Sequence, residues 1–144
     1  MPKPEIAPYG SWKSPITTDL IVTGSVGLTQ PLVRGTNVYW VEMRPTEGGR
    51  NVIVKRSPDG GLTDMTPLPF NARTRVHEYG GGDYTIHDYA VYFSNFSDQR
   101  LYVVREGAEP RAITPAGEVR YADAVVDEAR KPLVDQRRVK ALRQ

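Results

Sequence analysis

The feature that most limits what this chain can fold into is a β-rich segment that occurs twice in the same order. "AVYFSN" (Ala90–Asn95) matches "NVYWVE" (Asn37–Glu42) at an offset of 53, since 91 − 38 = 53. "LYVVREGAEPRAITP" (Leu101–Pro115) matches "IVKRSPDGGLTDMTP" (Ile53–Pro67) without a gap at an offset of 48, since 101 − 53 = 48. The difference falls in the intervening loop, which is longer in the first copy. Both copies end in Thr-Pro, and a third unit begins near "VRYADAVVD" (Val119–Asp127). Arg75-x-x-Glu78 and Arg120-x-x-Asp123 open consecutive units 45 residues apart (120 − 75). A period of about 45–50 residues with about four short strands per unit is the signature of propeller blades.

The strand composition agrees. Val38 and Trp40 project to one face while Tyr39 and Val41 project to the other, and all four are apolar. A sheet apolar on both faces must be covered on both, as a blade is by its neighbours. A β-sandwich is the alternative, but its strands normally show one polar face. The expected fold is therefore all-β: a partial β-propeller of about two complete four-stranded antiparallel blades plus the start of a third.

Three parts follow along the chain. Residues 1–31 read as an extended lead-in, because Pro2, Pro4, Pro8 and Pro15 block regular helix and extend the residues before them. Within it Leu20–Val22 reads as the start of a strand broken by Gly24 and Gly27. Residues 32–127 form the partial propeller, with units at about 32–69, 70–117 and 118–127. In the first unit "NVYWVEM" and "RNVIVKR" are strands joined by the hairpin loop "RPTEGG". "SPDGG" (Ser57–Gly61) is a turn, since Asp-Gly supplies positive φ, and a fourth strand follows at Leu62–Met65. Residues 128–144 form a basic tail that does not continue the blade pattern. "DQRRVKALRQ" favours helix locally, with Val139 and Leu142 as an apolar pair. A frayed charged terminus is the other reading.

Composition removes several function classes. The formal charge is +2 and no basic stripe carries interleaved aromatics, which argues against nucleic-acid binding. The chain has no cysteine, so thiolate zinc sites and a cysteine nucleophile are excluded and a reducing compartment fits. "MPKPEIAPYGSW" lacks the apolar core of a signal peptide, and no apolar run approaches the ~20 residues that span a bilayer. A cytoplasmic protein without a membrane partner is expected.

Candidate chemistry concentrates in "RTRVHEYGGGDYTIHDYAVYFSN" (Arg73–Asn95). "YGGGD" (Tyr79–Asp83) could cradle a phosphate, but a dinucleotide loop opens a helix and here a β-run follows. Glycines that let the backbone crowd an inner strand explain it better. His77 and His87 stand ten apart (87 − 77), not four apart as on a zincin helix, so hydrogen-bonded strand histidines are expected rather than a metal site. "TGSVG" (Thr23–Gly27) has Thr23 where a nucleophile elbow needs glycine. No catalytic residue, cofactor or metal is expected. Arg75, Glu78, Arg120 and Asp123 would lie near a central channel, either pairing between blades or recognising a charged group on a peptide.

"APYGSWKSPIT", "VYWVEMRPTEGGRNVIVKR", "TRVHEYGGGDY", "VYFSNFSDQRLY" and "RYADAVVD" together resemble one family over roughly residues 5–130. It is the amino-terminal propeller of bacterial prolyl oligopeptidase-family serine peptidases, in the acylaminoacyl-peptidase or dipeptidyl-aminopeptidase-like branch. The resemblance implies a polypeptide several times longer, in which the propeller caps an α/β-hydrolase domain bearing a Ser-Asp-His triad. Short peptides reach the triad through the channel or a gap between domains. The lead-in would pack against the hydrolase domain. None of the triad residues has a counterpart here. The tail after Arg130–Pro132 departs from the family pattern, which suggests a truncation or frameshift.

The function expected is therefore that of a fragment of a substrate-gating propeller, non-catalytic alone. The alternative is a stand-alone β-rich binding or self-assembling module. Two and a half blades would leave apolar faces and strand edges open, so self-association through the blade edges is expected.

Overall fold

The computed structural model describes residues 6–11, 13–22, 25–76, 78–127, 133–135 and 139–140, the last two stretches by their backbone. Strands dominate. β1 (Gly27–Arg34), β2 (Asn37–Arg44), β3 (Arg50–Arg56) and β4 (Leu62–Asp64) form one antiparallel sheet in that spatial order. β5 (Tyr84–His87), β6 (Ala90–Ser94), β7 (Leu101–Val104) and β8 (Arg111–Ala112) form a second with the same order. These are two propeller blades, and a third unit follows.

The repeat has a structural cause at its Thr-Pro ends. Thr66 Oγ1 accepts the Ile53 N–H at 3.0 Å, and Thr114 Oγ1 accepts the Leu101 N–H at the same distance. Beside them Met65 N donates to Ile53 O at 2.7 Å and Ile113 N to Leu101 O at 2.8 Å. Each threonine thus satisfies a backbone donor where the last short strand leaves its neighbour. The "SPDGG" turn is also formed. Gly60 sits at φ 91° with its N–H on Ser57 O, and Asp59 Oδ1 accepts the Gly61 N–H.

The two blades pack face to face. Tyr39, Val41, Ile53 and Met65 of the first meet Tyr84, Ile86, Val91, Phe93 and Val104 of the second, with Leu32, Phe70 and Tyr102 at the margin. Phe93 stacks on Tyr102 at 5.7 Å between centroids and meets Phe70 edge-on at 6.0 Å. Equivalent positions of the repeat face the same way around the ring. Val91 and Phe93, against the first blade, are 0 % exposed, whereas their counterparts Val38 and Trp40 are half-buried. The outer face of the first blade also presents Leu28, Val33 and Leu62, each more than 60 % exposed. No described residue covers that face as the first blade covers the second.

Three details depart from the sequence reading. Leu20–Val22 lies in a one-turn helix, α1 (Thr18–Val22), because Thr17 caps it: its Oγ1 accepts the Leu20 N–H and its carbonyl the Ile21 N–H. Gly27 opens β1 instead of breaking a strand, so the first sheet begins inside the stretch read as lead-in. β1 carries an irregularity between Thr29 and Leu32, where Gln30 takes φ 52° ahead of Pro31. The tail, for which helix or fraying is expected, contributes β11 (Leu133–Asp135) and β12 (Val139–Lys140). They pair with β10 (Ala124–Val126) and β9 (Val119–Arg120) respectively, and so engage backbone edges that would otherwise be open. No described helix is long and apolar enough to cross a membrane.

Candidate functional site

β1 and β5 are the first, inner strands of their blades and β10 follows in the third unit; the junctions between units are made just ahead of β5 and β10. Gln30 is the first latch. Its Nε2 donates to Asp83 Oδ2 at 2.7 Å, its Oε1 accepts the Asp83 N–H at 2.9 Å, and its carbonyl accepts the Tyr84 hydroxyl at 2.7 Å. Asp83 Oδ1 accepts the Thr74 N–H at 2.7 Å. Burial pushes the Asp83 carboxyl above its ordinary value; the Thr74 N–H and the Gln30 amide oppose that shift. Burial likewise raises the Tyr84 phenol.

Asp123 is the second latch. Its Oδ1 accepts the Gly82 N–H at 2.8 Å, and its own N–H donates to Gly82 O at 2.9 Å. The glycines of "YGGGD" admit this approach. A Cβ on Gly82 would stand 2.8 Å from Asp123 Oδ1, and one on Gly81 3.0 Å from Ala122 Cβ. Gly82→Ala is accordingly expected to loosen the third unit, by about 1–3 kcal/mol as for an overpacked contact. Hydrogen exchange of amides in residues 119–127 should accelerate while those of β2 and β3 hold. Uniform acceleration across all three units would show that the effect is not local.

The four charged residues singled out by the repeat divide between two places. Glu78 and Arg120 form an ion pair, and Arg120 Nη1 also donates to Arg75 O at 2.8 Å. The Arg120 guanidinium holds the exposed Glu78 carboxyl below its ordinary range. The Arg75 guanidinium lies 5.4 Å from the Phe96 ring centroid, beside that of Arg73 at 5.2 Å. Asp123 stands apart from this group, at the glycine latch. The matching Arg-x-x-acid spacing therefore does not produce matching environments. Directly preceding its inner strand, Asp123 occupies the place that Asp83 holds before β5. Arg75, Arg120, Gln99 and Gly117 help line a small recess of about 130 Å³.

A larger cavity of about 560 Å³ opens at the far ends of the inner strands. Arg34 from the end of β1, Thr85 to His87 of β5, Asp88, and Val125 and Val126 of β10 line it. Arg34 Nε donates to Ile86 O and Nη1 to Val33 O, both at 3.4 Å. His87 Nε2 lies 3.4 Å from Asp88 Oδ2. Sequence reasoning considered His87 for a metal and passed over Arg34 and Gln30. No motif marks the last two, whose roles depend on register and on the approach of the next blade. Among the described residues no three His, Asp or Glu side chains gather as metal ligands would; His77 lies outside the described residues.

No protein-family model and no curated protein matches the chain. Solved structures do. A puromycin-hydrolysing peptidase of Mycobacterium tuberculosis is 39% identical over 85% of this chain, with a TM-score of 0.75. Puromycin hydrolase is 36% identical over 88% of it, also at 0.75. A serine-to-alanine mutant of puromycin hydrolase complexed with PGG superposes at 0.76 with the same identity and coverage. The chain spans about a fifth of those structures, 20% of the first and 21% of the other two.

Proposed function

This chain belongs to the propeller region of the prolyl oligopeptidase family of peptidases, and from that premise we propose that it walls the passage by which short peptides reach a separate catalytic domain. That domain would be an α/β-hydrolase carrying the serine, aspartate and histidine of a serine peptidase, with the blades gating substrate and performing no bond cleavage. The observation that carries the reading is the cavity bounded by the inner strands of three successive units, lined by Arg34, Ile86, His87 and Val125. Its size lies within the range of ligand-binding clefts, roughly 300–1,000 Å³. Arg75 supplies the substrate-facing charge at the opposite end, while Glu78, Arg120 and Asp123 hold the shape of the wall. Exposed Ile6, Tyr9, Ile16, Leu20 and Ile21 of the lead-in support a surface for the hydrolase domain. A cytoplasmic setting is part of this proposal.

The test is direct. The purified chain is expected to release no chromophore from aminoacyl or acyl-peptide p-nitroanilides, yet short peptides should shift the NMR signals of Thr85 and His87. Turnover blocked by a serine-directed reagent would show that the chain has its own nucleophile. Unmoved inner-strand signals at millimolar peptide would remove the passage role.

A second reading is favoured by one observation, the apolar outer face of the first blade. Leu28, Val33 and Leu62 with Val38 and Trp40 form a surface that the repeat elsewhere buries against another blade. A stand-alone module would cover it with a second copy. Sedimentation across a concentration series separates the two: a defined dimer that Leu62→Lys dissolves supports the module, and a monomer at all concentrations removes it.

A further inference from the structure

We infer that the cavity at the ends of β1, β5 and β10 is a carboxylate-binding pocket, in which Arg34 takes the free C-terminal carboxylate of a short peptide. This rests on the passage reading only for the peptide; the anion site stands on its own geometry. Arg34 is the first ground. Its guanidinium touches backbone carbonyls at 3.4 Å, well beyond the usual ~2.9–3.0 Å, and neutralises no carboxylate among the described residues. Other arginines are held more firmly. Arg44 makes bonds of 2.6–3.0 Å to Glu42 and Asp64, and Arg50 is buried on Glu47 and the carbonyls of Thr66 and Phe70. Arg34 therefore keeps both its charge and most of its fork of donors for something that enters the cavity.

The second ground is the hairpin joining β5 to β6, which gathers positive charge at the same end. Arg105 Nη1 donates to Asp88 O at 2.5 Å, and no carboxylate pairs with its side chain among the described residues. One acid opposes this charge. Asp88 also lines the cavity, but its side chain is 77% exposed and its Oδ2 lies 3.4 Å from His87 Nε2. The third ground is the opposite wall, where Val125 and Val126 offer apolar surface to the body of a ligand. An apolar wall facing an unneutralised guanidinium suits a peptide end: a hydrophobic side chain on one side and a planar carboxylate on the other.

The experiment uses the full chain and three probes: an N-acetylated apolar tripeptide with a free C-terminus, its C-terminal amide, and 4-phenylbutyrate. Calorimetry and NMR at neutral pH should show the free acid binding about ten- to a hundredfold more tightly than the amide, as expected for a hydrogen-bonded ion pair. Arg34→Gln should abolish that preference and Arg34→Lys retain part of it, with far-UV circular dichroism confirming that both stay folded. Arg105→Gln should weaken the acid only slightly. Equal binding of acid and amide, or a preference that survives Arg34→Gln, overturns the carboxylate pocket while leaving the peptide passage intact. Binding of 4-phenylbutyrate without either peptide keeps the pocket and removes the peptide reading.

Discussion

Replacing Phe93 with alanine is expected to remove most of the chain's folding free energy at 25 °C. Phe93 is fully buried on the face of β6 that meets the first blade, with Tyr102 stacked on it and Phe70 at its edge. Removing the ring deletes the centre of the contact between two sheets, and the flanking strands cannot close the gap without breaking their own ladders. Phe-to-Ala changes at such sites cost about 3–5 kcal/mol. Domains have only about 5–15 kcal/mol in total. No described residue covers the outer face of the first blade, which places this chain toward the low end. Urea titration followed by circular dichroism measures the loss. Trp40→Ala, at the equivalent blade position on the open face, is expected to cost far less. A small loss at Phe93, or equal losses at the two sites, would mean that the blades do not depend on each other.

The second large effect is expected at Asp83. Asp83→Ala removes the acceptor of the buried Thr74 N–H and of the Gln30 amide, stranding two donors at the inter-blade junction. Unsatisfied buried donors cost about 1–3 kcal/mol each, and Gln30 can turn partly to water, so a loss of about 2–3 kcal/mol is expected. The pH dependence has a definite sign. Burial raises the folded pKa of Asp83 above its unfolded value of 3.8. The folded state then binds more protons than the unfolded one, so this contribution is present at low pH and is lost as pH rises through the folded value. Glu47, Asp64, Glu78 and Glu106, all lowered by Arg or Lys partners, act oppositely and lose stability as pH falls. Comparison with Asp83→Asn cancels those. The stability of the native chain relative to Asp83→Asn should decline from about pH 4 upward; a difference that grows with pH would contradict the burial argument.

Much of the architecture is legible in the chain because a blade is a local object. The continuous apolar run in "NVYWVEM", a turn in "SPDGG" and a closing threonine act within one sheet, over short separations. Misreadings arose where a non-local or capping contact decided the outcome. Leu20–Val22 has strand-like residues, but Thr17 supplies a helix cap. Beyond Asp127 the local preference is helical, yet the open edges of β9 and β10 draw the backbone into pairing. The site was less legible. Arg75, Glu78, Arg120 and Asp123 stand out by spacing alone, but spacing does not reveal that Glu78 and Arg120 pair while Asp123 turns to Gly82.

The amino-acid order alone determined the strand succession, the doubled unit and the need for cover on both sheet faces. Periodicity of side chains along an extended backbone dictates all three. Only the tertiary structure decided that Gln30 bridges to Asp83, that Asp123 fills the space the glycines leave, and that Arg34 overlooks a cavity with no described carboxylate paired to it. Those contacts join residues about 40–55 positions apart, and their partners are chosen by how one twisted sheet rests on the next.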